Sequence, residues 1–225
     1  MMDPTPDQTG TRSVEIAGRI RGDIIAGTFP FGSRLTLGQL EARYDCGQMP
    51  IREALRQLQG EGLIELAPNR GARVREVDAD FVGNLFDVRV AIEAMLTRRG
   101  GEKIRPADVA ELAAAAAAFE AATESGDLGP VLSTNRAFHG IINRVAGNAE
   151  ATEILKRNEQ LMTALWMRYG YGPQRFSESI ADHRHIVAAL TMGDSDSAAC
   201  LAMAHAAKAK LDLVARMVAT RGAEG

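Results

Sequence analysis

Along residues 12–26 apolar side chains return at every fourth position, Ile16, Ile20 and Ile24 with Ala17 beside them, the period of a helix with one buried face. Gly27 ends the pattern, and the Phe-Pro-Phe-Gly-Ser stretch at 29–33 is turn chemistry. A short helix follows, with Thr36 placed to cap its first turn and Leu37, Leu40 and Tyr44 on one face. After a break at Asp45, Cys46 and Gly47, the helical period resumes from Gln48 to Glu61. Pro50 falls in that first turn, where the amide it lacks has no helical partner anyway. Ile51, Ala54, Leu55 and Leu58 point inward, which leaves Gln48, Met49, Arg52, Arg56 and Gln59 on other faces. Gly62 stops the helix. Period two then takes over, with a strand at 63–67, a tight turn at 68–71 and an alternating strand at 72–77.

From Asp80 onward the period is helical throughout. Six segments are predicted, at 79–100, 106–125, 128–147, 149–169, 176–192 and 195–220. Breaks fall at Gly100 and Gly101, at 125–127, at Gly147, at 170–173 and at Gly193. Short connections make neighbouring helices antiparallel. The expected fold is therefore mainly α. A flexible tail covers 1–11, an N-terminal winged helix-turn-helix (three helices plus a β-hairpin wing) covers 12–77, and a C-terminal antiparallel α-helical bundle covers 78–225.

Hydrophobic residues make up 46% of the 225, ordinary for a folded chain. No apolar run reaches bilayer length, and the polar start has no apolar core for a signal peptide. The reading is a cytoplasmic protein with no membrane partner. Cys46 and Cys200 lie far apart with no CxxC, which excludes a structural zinc finger and leaves two free, buried thiols as the expectation. The net charge of −3, with ten Lys/Arg against ten Asp/Glu in residues 1–77, does not announce a nucleic-acid binder. The placement of the arginines does. Arg52 and Arg56 lie one turn apart on the third helix, and Arg70, Arg73 and Arg75 share the hairpin.

The discontinuous run GTFPFGSRL…MPIREALRQLQGEGLIELAPNRGARV, within 27–74, resembles the GntR family of bacterial regulators over the whole N-terminal domain. The pieces NRAFHGIINRVAGN (135–148), HRHIVAAL (183–190) and AMAHAAK (202–208) resemble the FCD ligand-binding domain of its FadR-like subgroup. Six helices there, not seven, point to the shorter, VanR-like version. The resemblance implies a transcription regulator and not an enzyme. It implies a homodimer on a palindromic double-stranded DNA operator, most simply a repressor, with a small organic acid shifting its two states. In the recognition helix, Gly47, Gln48, Met49, Pro50 and Arg52 sit where base edges are read. Arg52 fits a two-point contact to guanine and Gln48 one to adenine. Arg56 holds a phosphate or pairs with an acid. Arg34 belongs to the matched run and joins the DNA-facing set. The wing tip, Asn69, Arg70 and Gly71, is a groove or backbone probe, while Arg75 reads as solvated. The family commonly has Ser-Arg-Thr before the proline; Gly47, Gln48 and Met49 here imply one lost arginine contact and a different operator preference.

All four histidines fall in the C-terminal half. Asn135 and His139 share a helix face at i, i+4, and His183 and His205 come from two later helices. Facing imidazoles from different helices of a bundle suit zinc or a similar divalent ion. In the FCD domain the matching positions are an acid followed by three histidines that bind a metal; Asn135 stands where Asp is common and brings no charge. His185 points elsewhere, and Asp182 is a second-shell partner or a solvated charge. Open metal positions would attract a carboxylate, whose remainder an arginine would fix. Arg89, Arg136 and Arg184 are the candidates, although Arg89 reads equally as an ion pair with Glu93 at i+4. Trp166, Met167 and Tyr169 read as bundle core or dimer surface. Three rival readings stay open: a regulator sensing the metal ion itself, a metal-dependent hydrolase, and a vestigial site. Against the hydrolase stand the absence of HExxH and an otherwise idle N-terminal half.

Overall fold

The computed structural model describes the backbone of residues 6–67 and 71–224 and the side chains of 11–66 and 71–220. Two compact units divide it, one made of the described residues up to Val77 together with Lys156–Arg168, the other of Asp78–Leu155 and the residues from Tyr169 onward.

In the first unit, α1 (Pro6–Ile25) begins six residues before the expected domain start, so most of the predicted tail is helical. A proline in the first turn costs no hydrogen bond. Ile16, Ala17, Ile20 and Ile24 form its buried face, as the fourfold spacing requires. The two-residue strand β1 (Arg34–Leu35) leads into α2 (Leu37–Tyr44), where the Gln39 amide donates to the Thr36 hydroxyl at 3.3 Å. Helix α3 (Gln48–Gly60) buries Ile51, Ala54, Leu55 and Leu58 and packs on α1 and α2. Full burial of each such side chain stabilises by roughly 1.5–3 kcal/mol. Strands β2 (Ile64–Ala67) and β3 (Gly71–Val74) form the predicted hairpin, with Ile64 opposite Val74 and Ala67 opposite Gly71. β1 adds a third antiparallel strand, in the order β1-β3-β2, which the sequence did not show because two residues display no period. Arg21 forks onto Glu61 at 2.6 and 2.8 Å and so ties α1 to the end of α3. Arg43 forks onto Asp23 at 2.7 and 2.9 Å, and the Tyr44 hydroxyl donates to the same carboxylate.

Gly62 closes α3 with φ +75°, and a β-carbon there would lie 2.8 Å from Asn158 Oδ1. Glycine therefore serves both the left-handed turn and the close approach of the 156–168 segment. Trp166 is buried and belongs to this unit.

The second unit is helical. Its elements are α4 (Ala79–Gly101), α5 (Pro106–Glu124), α6 (Leu128–Ala146), α9 (Arg175–Thr191) and α10 (Ser195–Glu224). Between them in the chain lie α7 (Ala149–Arg157) and α8 (Glu159–Tyr169), each shared between the two units. The single helix expected over 149–169 is thus two, with a turn at Asn158. That makes seven helices after Asp78 among the described residues, and the VanR-like reading loses the count it rested on. Asp78 and Asp127 cap α4 and α6 by accepting backbone amides at 2.7 and 2.9 Å. α4 runs beside α10, and α5, α6 and α9 pack into one core around Leu112, Phe138, Ile142, Ile186 and Leu190. Gly101, expected in a break, is the last residue of α4 and lies against its neighbours. A β-carbon there would come within 2.8 Å of Ser195 Cβ and 2.9 Å of Leu190 Cδ2. Both cysteines are free, but neither is buried: Cys46 is partly exposed and Cys200 exposed, which corrects the expectation of buried thiols.

Candidate functional site

Two sets of side chains stand out, one in each unit. In the first, Arg34 of β1, Arg52 and Arg56 of α3 and Gly71 of β3 line one cleft of about 680 Å³. All three arginines are exposed, and among the described residues no acid pairs with any of them. Arg21, Arg43 and Arg75 of the same unit, by contrast, each have a carboxylate partner. Of the two readings held open for Arg56, pairing with an acid is therefore not what the structure shows. Gly47 is the N-cap of α3, and Gln48 and Met49 are exposed in its first turn, with Pro50 half-buried. Asn69 and Arg70 lie outside the described residues. One of the hairpin arginines adds to this set, and Glu76 stands 4.0 Å from its guanidinium. Arg73 sits directly opposite Arg34 across the β1–β3 register, and like charges so placed repel unless an anion lies between them.

In the second unit, α6, α9 and α10 bring His139, His183 and His205 together, with potential ligand atoms all within 4.8 Å of one another. His183 is 1% exposed, stacked on Phe138 at 4.0 Å and flanked by Phe119 at 4.6 Å. Neither of its ring nitrogens has a hydrogen-bond partner. Burial pushes all three imidazoles down, His139 to about 4, so the cluster is neutral at pH 7. His205 Nδ1 meets Asp182 Oδ2 at 3.2 Å, and Lys208 Nζ donates to Asp182 Oδ1 at 2.6 Å. Burial raises the Asp182 carboxyl, but those two bonds outweigh it and hold the group ionised. A carboxylate on Nδ1 fixes the tautomer that leaves Nε2 as a free lone pair, the usual way a metal-binding imidazole is oriented. Asn135 lies one turn before His139 on α6, half-buried. The donor set suits a divalent ion: three neutral imidazoles, a carboxylate behind one of them, and one ring with both nitrogens orphaned.

The three arginines read as effector contacts fare differently. Arg89 is ion-paired with Glu93 at 2.6 Å, the i, i+4 alternative. Burial raises the Glu93 carboxyl, yet the Arg89 guanidinium holds it low. Arg184 is a surface residue clasped by Glu120 of α5 at 2.5 and 2.7 Å, and Arg136 is exposed. Both side chains point away from the buried face of their helices, because each follows a different angular position from His183 or His139. His185 is likewise exposed, as expected. The arginine that does reach the cluster is Arg175, 4% exposed on the first turn of α9. It was legible as the start of the face that continues through Ser179, Asp182 and His183.

Residues 12–74 match the family of bacterial regulatory proteins called gntR, and residues 84–208, more than half of the chain, match the FCD domain. The chain belongs to the GntR family, with an FCD domain. Among its relatives, the transcriptional regulator McbR of Escherichia coli (strain K12) is 24% identical over 200 residues, 84% of this chain and 87% of that protein. The Nta operon transcriptional regulator of Aminobacter aminovorans is 26% identical over 183 residues, 79% and 82% of the two chains. The transcriptional repressor GlaR of Escherichia coli (strain K12) is 36% identical over 88 residues, 37% of this chain and 40% of that one. The solved structure of E. coli McbR/YncC shares the fold at a TM-score of 0.69 and 21% identity, covering 89% of this chain and 97% of that one. Lar, of Listeria monocytogenes, has a TM-score of 0.69 at 17% identity, covering 96% and 100%. This GntR-family chain is accordingly a DNA-binding transcription regulator and not an enzyme. No helix among the described residues is long and apolar enough to cross a membrane.

Proposed function

We propose that this GntR-family regulator is a cytoplasmic homodimer that represses transcription from a palindromic operator. It is released by a small carboxylate bound at a divalent ion, zinc by its donor chemistry, on His139, His183 and His205. The observation that carries the effector half is the buried His183 ring. Both of its nitrogens are orphaned between two further neutral imidazoles. A fully buried polar ring without partners costs stability unless something fills the gap. A bound zinc would supply a fixed positive centre with open positions for a carboxylate. Asp182 would hold His205 in register, and Phe119 and Phe138 would keep water from His183.

The test is thermal melting of the full chain with small carboxylates, with zinc and with chelator, alongside operator binding by fluorescence anisotropy. A ligand at a hundred times its dissociation constant adds about 2.7 kcal/mol. For a chain of this size each kcal/mol moves the midpoint by roughly 2–4 °C. A carboxylate that raises the midpoint only with zinc present, and loosens operator binding, is the expected outcome. Absence of any zinc effect on melting sinks the metal reading. The neutral Asn135 favours one second reading, because a site lacking an anionic ligand holds its ion loosely. In that case zinc alone changes operator affinity, and carboxylates add nothing.

A further inference from the structure

The buried face of α9 runs Arg175, Ser179, Asp182, His183 and then Ile186, Ala189 and Leu190, so its N-terminal half is polar where the rest is core. Arg175 is the least explained of these groups. Its Nη2 donates to the His205 carbonyl at 3.2 Å, but Nε and Nη1 have no hydrogen-bond partner. The two nearest carboxylates, Glu178 and Asp182, stand 3.8 Å from Nη1, beyond hydrogen-bonding range. Asp182 is already engaged by Lys208 and His205. Asp212 accepts the Gly172 amide at 3.1 and 3.2 Å, and the Glu178 side chain is 45% exposed. A guanidinium cannot shed its proton to escape burial. The same Asp182 Oδ2 lies 3.2 Å from His205 Nδ1 and 3.8 Å from Arg175 Nη1, so the idle donors flank the histidine cluster.

We propose that Arg175 anchors a second acidic group of the effector, so that the ligand class is a small dicarboxylate and not a monoacid. The inference rests on the metal reading for the first acidic group. Two separate sets of unmet hydrogen bonds among the described residues then have complementary answers: both His183 ring nitrogens, and the Nε and Nη1 donors of Arg175, which Glu178 and Asp182 approach only to 3.8 Å. Arg89 and Arg184 are taken by Glu93 and Glu120, whereas Arg175 has donors to spare.

The experiment uses the zinc-loaded full chain and three pairs of equal chain length: malonate and propionate, succinate and butyrate, glutarate and valerate. Calorimetric titration should show at least one diacid binding about tenfold or more tightly than its monoacid partner, the scale of one charge-assisted contact. Arg175→Gln should bring that diacid to the monoacid level while zinc affinity, read by competition with a chromophoric chelator, stays within about threefold. Arg175→Lys, which keeps the charge and the stem, should retain part of the preference and serves if the Gln variant does not fold. Equal binding within all three pairs, or an undiminished preference in Arg175→Gln, overturns the proposal. The two readings part cleanly. If monoacids need zinc but Arg175 variants change nothing, only the Arg175 role falls. If an Arg175-dependent diacid preference survives the chelator, the Arg175 role stands and the metal reading falls.

Discussion

Arg52 and Arg21 have the same side chain in the same unit, and their neighbours decide what each does. Glu61 takes the Arg21 guanidinium, so that arginine fastens two helices. Arg52 is exposed on the first turns of α3 beside Arg34 and Arg56, and no acid among the described residues pairs with it. Three unpaired cations in one cleft repel, and that cost is tolerable where a polyanion docks. Arg52→Ala should therefore weaken specific operator binding about 10- to 100-fold, the worth of one two-point base contact. Its melting midpoint and far-UV circular dichroism should match wild type. An operator affinity equal to wild type in electrophoretic mobility-shift titrations would sink this docking. The histidines follow the same logic. His185, two residues from His183, faces solvent, because α9 turns it away from the face that carries its neighbour.

Among the elements, α4 shows how a sequence signal can be right in place and wrong in cause. Two successive glycines usually end a helix, and α4 does end at Gly101. Yet the space around them is filled. Gly100 faces the Ile142 carbonyl at 3.2 Å from where a β-carbon would be, and Gly101 faces Ser195 and Leu190. The glycines let four helices, α4, α6, α9 and α10, close on one another. Gly101→Val should overpack this junction at a cost of roughly 1–3 kcal/mol. In calorimetry that is a midpoint lowered by about 2–4 °C per kcal/mol. An unchanged midpoint would mean the junction yields freely. The 149–169 segment carries the opposite lesson. Its apolar period is continuous, so the sequence reads one helix, but the chain turns at Asn158, whose side chain occupies the space beside Gly62.

At the scale of the molecule, a boundary drawn at Val77 separates the two sequence matches, but the first compact unit also takes in Lys156–Arg168. Trp166, Leu161 and Leu165 of that segment are buried. A fragment ending at Val77 should consequently expose apolar surface. It should melt lower than the winged helix does within the full chain, and less cooperatively, by differential scanning calorimetry with tryptophan-independent circular dichroism as a check. A fragment as stable as the parent unit would show that 156–168 adds nothing to it.

Amphipathic period, caps and turn residues by themselves determined most of the helices and the hairpin, because those depend on neighbours within a few positions. The same is true of Thr36, Pro50 and the buried face of α3. The trio His139, His183 and His205 was legible through the resemblance, since spacing alone cannot show that three helices converge. Tertiary structure decided what angular position and distant partners decide. It set Arg184 on the surface with Glu120, Arg89 on Glu93, and the third strand beside β3. It also buried Arg175 with two donors unmet beside a cluster of neutral imidazoles, because a polar group's worth depends on which groups the fold leaves it to face.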